Sequence, residues 1–140
     1  MNFEMRGNEG ASLTVEIPDV ATPSSLRGPD ANWLPCNVQY QKMNSSMTAT
    51  MSLTSGDFAH LVSDLRALLT GQSSVVKFET MEEGLEFGLT RAGDGGFQCV
   101  GRLRDELSCS ELIFSFSMDR SQTESTLRSA EHIAATHKVR

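Results

Sequence analysis

The sequence predicts an α+β fold: a largely antiparallel sheet of about eight strands, in the order β-β-β-β-α-β-β-β-β-α, with two helices packed on it. Three observations predict it. Alternating apolar and polar residues recur in eight short runs, the period of strands with one buried face. Two segments switch to the helical period, one near the middle and one at the end. The gaps between the last four strand-like runs are too short for anything but hairpins, which makes those four an antiparallel meander.

The first strands are a hairpin. Leu13, Val15 and Ile17 alternate with Thr14 and Glu16, and Phe3 and Met5 supply a partner strand across a turn at Gly7 to Gly10. All four prolines, Pro18, Pro23, Pro29 and Pro35, fall in the first quarter, so residues 18–30 are expected to be an irregular Pro-rich loop. Val38 and Tyr40 then alternate with glutamines, and Met47, Ala49, Met51 and Leu53 alternate with Thr48, Thr50 and Ser52, giving two strands that turn near Asn44 to Ser46. Met43, Met47 and Met51 are also spaced as on a helix, but the threonines and the unbroken period of two favour strand.

Phe58, Leu61, Val62, Leu65, Leu68 and Leu69 form one helical stripe, with Ser55 or Asp57 as the expected cap and Gly71 at the exit. The meander follows as Val75 to Glu79, Leu85 to Thr90, Phe97 to Arg104 and Leu112 to Ser117. One face carries Leu85, Phe87, Leu89, Phe97, Cys99, Leu103, Leu112, Phe114 and Phe116 and is expected to be buried. The other carries Glu86, Gln98, Val100, Arg102, Ile113 and Ser115, is half polar, and is expected to face water. Ser121 with Glu124 three residues on predicts a capping box for the last helix, whose apolar face is Leu127, Ala130, Ile133 and Ala134.

With 140 residues and 39% hydrophobic content, residues 1–140 are expected to form one domain that buries roughly two thirds of its unfolded surface without a disulfide or metal staple. The Met1-Asn2-Phe3-Glu4 start has neither a basic leader nor an apolar block, and no apolar run is long enough to cross a membrane. A cytoplasmic location is therefore expected. Three cysteines, Cys36, Cys99 and Cys109, without CxxC spacing fit reduced thiols. The net charge of −6 argues against nucleic acid as a direct partner, since phosphate binding needs clustered Lys and Arg.

Catalytic chemistry is sparse. A hydrolase needs a nucleophile beside a base, and the candidates are the three cysteines with His60, His132 and His137. Cys99 falls on an apolar strand face, Cys109 in a Ser-rich turn with no activating motif, and His60 beside the helical stripe where it faces solvent. His132 and His137 are five apart, not the four that would put a zinc pair on one face. Gly93, Gly95 and Gly96 join two strands and do not open a helix, so they are a hairpin turn and not a phosphate cradle. No enzyme activity, metal or cofactor is expected.

Two features bear on binding. Trp33, the single Trp, stands where the Pro-rich loop enters a strand; it serves either to pin that loop to the core or as an exposed aromatic anchor for a partner. Alternate turns of a meander lie at the same end, so Glu82 and Glu83 are expected to approach Asp105 and Glu106, with Glu86 close by. That set is either an acidic docking rim or a group of solvated turn residues.

The order of motifs resembles a known family. Asp30-Ala31-Asn32-Trp33-Leu34 leading into a strand, the helix ending Leu65-x-x-Leu68-Leu69-x-Gly71, Lys77-Phe78-Glu79, Leu85-Glu86-Phe87-Gly88-Leu89-Thr90, Gly95-Gly96 before Val100-Gly101-Arg102-Leu103, and Phe114-Ser115-Phe116 ending at Asp119 resemble the WapI-type immunity proteins. The resemblance runs from about Asn32 to Leu127. Arg120-Ser121-Gln122 follows Asp119 where relatives often place Gln directly after Asp, and the Pro-rich loop is peculiar to this chain. The resemblance implies a small bacterial cytoplasmic protein that neutralises a toxin domain by direct binding, and it supplies no catalytic residues. The expected partner is thus a protein, neither nucleic acid nor membrane. The alternatives are a structural or regulatory domain that homo-oligomerises through its sheet and, third, a small hydrolase.

Overall fold

The computed structural model describes residues 1–17, 33–80 and 84–137. Eight strands and two helices occur in the expected order: β1 (Asn2–Arg6), β2 (Ser12–Glu16), β3 (Trp33–Lys42), β4 (Ser45–Thr54), α1 (Ser55–Leu69), β5 (Val75–Glu79), β6 (Leu85–Arg91), β7 (Phe97–Asp105), β8 (Ser110–Met118) and α2 (Arg120–Thr136). The strands divide into two antiparallel four-stranded sheets, β1-β2-β3-β4 and β5-β6-β7-β8, each in sequence order. The Pro-rich loop expected at 18–30 lies outside the described residues.

The two sheets share one core because each is apolar on one face only. Leu34, Cys36, Val38 and Tyr40 of β3 alternate with exposed residues, and Leu85, Phe87, Leu89, Phe97, Cys99, Leu103, Phe114 and Phe116 are buried in the second sheet as the period of two requires. Aromatic rings join the layers. Tyr40 of β3 stacks on Phe114 of β8 with centroids 4.7 Å apart, while within the second sheet Phe78 of β5 stacks on its cross-strand partner Phe87 of β6 at 4.9 Å. Helix α1 buries Phe58, Leu61, Val62, Leu65, Leu68 and Leu69, the stripe expected from spacing, and Phe58 meets Phe3 of β1 edge-on at 5.9 Å.

The helix starts differ from expectation by a few residues. Thr54, not Ser55 or Asp57, is the N-cap of α1: the Asp57 amide donates to its Oγ1 (3.1 Å), and its own amide donates to Asp57 Oδ2 (2.8 Å). Strand β4 runs into the helix without a loop, so the last extended residue, still paired with Trp33, becomes the cap. Asp119 and Gln122, not Ser121 and Glu124, form the box of α2, with bonds of 2.6 and 2.9 Å. Glu124 instead pairs with Arg120 one turn back at 3.1 Å. At the far end of α1, Gly71 takes φ +83 as an exit glycine, and Arg91 and Arg120 donate to the carbonyls of Leu68 and Leu69. These two arginines tie the second sheet and α2 to the C-terminus of α1. Helix α2 lies beside β1, where the Glu4 amide donates to Ser129 Oγ at 3.2 Å, and Arg66 of α1 pairs with Glu131 of α2 at 2.6 Å.

Candidate functional site

The outer face of the second sheet is where strand alternation leaves side chains without a second layer. Val100 is 53% exposed and Ile113 73%, the half-polar face expected from the sequence. Its centre dips at Gly88, which faces outward beside Lys77 and Val100, and an open groove of ≈ 380 Å³ runs past Glu79, Glu86, Arg102 and Ile113. Arg102 forms an ion pair with Glu86 across the β6–β7 ladder. Glu79 stands directly opposite Glu86 on the other side, so Arg102 offsets a like-charge cross-strand pair.

One end of this face carries the turn after β7. The Arg104 amide donates to the Gly84 carbonyl at 2.8 Å, which sets the β7–β8 turn beside the end of the β5–β6 connection. Asp105 ends β7, and Ser108 Oγ donates to its carboxylate at 2.8 Å; Glu106 is exposed. Glu82 and Glu83 lie outside the described residues. Glu86 sits within a strand, its charge met by Arg102, and so differs from the turn carboxylates. Trp33 opens β3, half-buried and paired with Thr54, where it joins the start of α1 to the first sheet.

Two exposed apolar residues escaped the sequence reading. Leu107, 89% exposed, projects from the tip of the acidic turn, and Met43, 73% exposed at φ 51, from the β3–β4 turn. The signal for Leu107 was there, an isolated apolar residue amid Asp105, Glu106 and Ser108, but a turn has no period to show which side chain points away.

Two of the three candidate nucleophiles lie in the core. Cys99 is fully buried, and burial pushes its thiol up to about 12. Cys36 is likewise buried, its thiol donates to the Leu34 carbonyl at 3.1 Å, and burial, with a smaller contribution from the Asp57 carboxylate, pushes it up to about 12. Both are held protonated and shielded. Cys109 is exposed in its turn at φ 57. His60 and His132 are exposed. Among the described residues no group of three His, Cys, Asp or Glu side chains is placed to hold a metal ion. Gly93 to Gly96 close the β6–β7 hairpin, where the Ala92 amide donates to the Gly96 carbonyl at 2.9 Å and Gly95 takes φ +88.

Solved structures share this architecture at low identity. Trypanosoma brucei MRP1/MRP2 superposes with a TM-score of 0.54 at 12% identity, covering 96% of this chain and 84% of that one. WHY3 of Arabidopsis thaliana gives 0.53 at 14%, covering 98% and 88%, and a guide-RNA-binding protein complex bound to a gRNA gives 0.52 at 12%, covering 94% and 87%. At such identities the likeness is one of fold alone. No curated protein matches the sequence. The family model described as "Immunity protein WapI-like family" matches residues 4–137, from the first strand to the end of the last helix. The chain, with its paired four-stranded sheets and two helices, belongs to the WapI-like immunity protein family.

Proposed function

We propose that this chain is a non-enzymatic binding protein of the bacterial cytoplasm that neutralises a toxin domain by covering it. The single observation that carries the reading is the family match over residues 4–137. The geometry supports it: the second sheet offers an open face with exposed Val100 and Ile113, and the turn at its end presents Asp105, Glu106 and the projecting Leu107. Two of the three thiols are buried and protonated, which removes them as nucleophiles. One fold neighbour is bound to a gRNA, but a net charge of −6 opposes phosphate binding here, whereas it suits a toxin whose substrate groove is basic.

In this reading Glu82, Glu83, Asp105 and Glu106 steer the encounter by offering carboxylates where phosphates would lie. Glu86 contributes less, because Arg102 already meets its charge. The test takes any toxin-like domain that sequencing finds encoded beside this gene. Tight binding by titration calorimetry and rescue of growth on co-expression are expected; absence of both overturns the reading. Replacing Glu82, Glu83, Asp105 and Glu106 by Lys should slow association by about tenfold or more with the fold intact, and added salt should slow the parent protein. An association rate indifferent to both would move the contact to the Trp33 region or to the face carrying Val100 and Ile113.

A further inference from the structure

Strand β8 ends the second sheet, so one of its sides has no neighbouring strand. Two contacts reveal which residues point outward. The Ser117 amide donates to Asn8 Oδ1 at 2.8 Å, and the Ser115 carbonyl accepts from Lys42 Nζ at 2.9 Å. Pairing with β7 is continuous from Ser110 to Met118, so by the two-residue repeat the N–H and C=O groups of Glu111 and Ile113 point the same way. No described residue pairs with them. Among the described residues, the first half of the edge is open while the second half is closed by side chains from the β1–β2 turn and β3.

A groove follows this edge. Met43 and Lys42 border it on the side of the first sheet, Leu112 to Ser115 on the other, and Ile113 and Met43 are each 73% exposed. The β5 side of the same sheet lies against α1, and β1 of the other sheet lies against α2. Among the described residues, the open half of β8 has no such cover, and it carries no proline; of the devices that blunt an edge, it has the charge of Glu111. Charge distinguishes its two ends. Lys42 is paired with Glu9 at 3.4 Å beside Ser115, whereas Glu111, Asp105 and Glu106 gather at the turn, with Arg104 across from Glu111 offsetting only one of the three.

We propose that the open half of β8 takes an extended segment of the partner protein as an added strand, with an apolar side chain beside Ile113 and a Lys or Arg toward Glu111 and the Asp105–Glu106 turn. Unpaired backbone groups require an extended backbone, exposed Ile113 and Met43 require apolar side chains, and the carboxylates set the sign of the charge. The proposal rests on the protein-binding reading above and names how that partner is held.

The test needs no toxin. A synthetic peptide of alternating Val and Thr with Lys at both ends is titrated to millimolar concentration into the isotope-labelled full chain, and backbone amides are followed by NMR. The largest shifts and slowed hydrogen exchange are expected at Glu111 and Ile113. The same peptide ending in Glu should bind roughly tenfold more weakly, and one N-methylated on the amides that would face β8 should not bind. Ile113→Pro should abolish binding too, and the methylated peptide keeps the test valid if that variant fails to fold. Equal binding of the methylated peptide, or no change at Glu111 and Ile113, overturns the proposal. So does protection of these two amides that rises with protein concentration alone, which would assign the edge to a second copy of the chain. Any of these results leaves the toxin-neutralising reading to its own binding and growth assay.

Discussion

Gly101 lies on the buried face of β7, opposite Phe114 of β8, and the Phe114 ring covers it. A Cβ built on Gly101 would stand 2.5 Å from Phe114 Cζ, 2.7 Å from Cε2 and 2.7 Å from the Glu86 carbonyl oxygen. Ordinary contact needs about 3.5 Å, so the ring would have to retreat by about 1 Å. It has nowhere to go, being 3% exposed and stacked on Tyr40 of the facing sheet. The carbonyl belongs to the backbone of β6 and cannot turn aside as a flexible side chain would. Gly101→Ala should therefore cost about 2–3 kcal/mol, the upper part of the range for overpacking, and lower the urea midpoint by roughly 1 M. Gly88→Ala is the control: it points outward, takes no positive φ, and a Cβ there meets only the Val76 carbonyl at an ordinary 3.5 Å. That change should be neutral or stabilise by up to about 1 kcal/mol, since alanine restricts the unfolded chain. Equal losses in the two variants, or less than about 0.5 kcal/mol for Gly101→Ala, would refute the packing argument.

Leu65 is fully buried on α1, and Leu65→Ala should cost roughly 2 to 5 kcal/mol; a loss near zero in denaturant unfolding would contradict the assigned helix face. Thr54→Ala and Asp119→Ala each remove an N-cap whose reciprocal bond is present, so each should cost about 1 kcal/mol, whereas Ser121→Ala should be silent in the same assay. The buried Cys99 thiol, raised from 9.0 to about 12, keeps its proton in the folded chain over a window in which the unfolded chain loses it. Its contribution to stability is therefore complete below pH 9 and falls as pH rises toward 12, by about 1.4 kcal/mol per pH unit. Urea midpoints between pH 9 and 11 should fall less steeply for Cys99→Ala, and identical slopes would show that the thiol does not titrate across folding.

The order of the elements was legible in the sequence because it is written in local periods. Leu13, Val15 and Ile17 can put their side chains on one face only as a strand, and Phe58 to Leu69 only as a helix. The caps were nearly legible: Thr54, Ser55 and Asp57 are all chemically able to cap, and the choice fell to the residue at which β4 stopped pairing with β3. The antiparallel pairing of β6 with β7, which brings the end of β7 beside Gly84 through the Arg104 amide, was legible for the same reason, since gaps that short admit only hairpins. The division of eight strands into two sheets was not, because alternation says which side of a strand is apolar and nothing about which strand or layer will cover it. Nor did anything in Ser110 to Ser117 show that Asn8 and Lys42, far away along the chain, would close one half of the β8 edge and leave Glu111 and Ile113 open. A side chain's face follows from bonds to its neighbours in sequence. Its exposure at an edge follows from where the rest of the chain ends up, and that is decided only when the two sheets pack on each other.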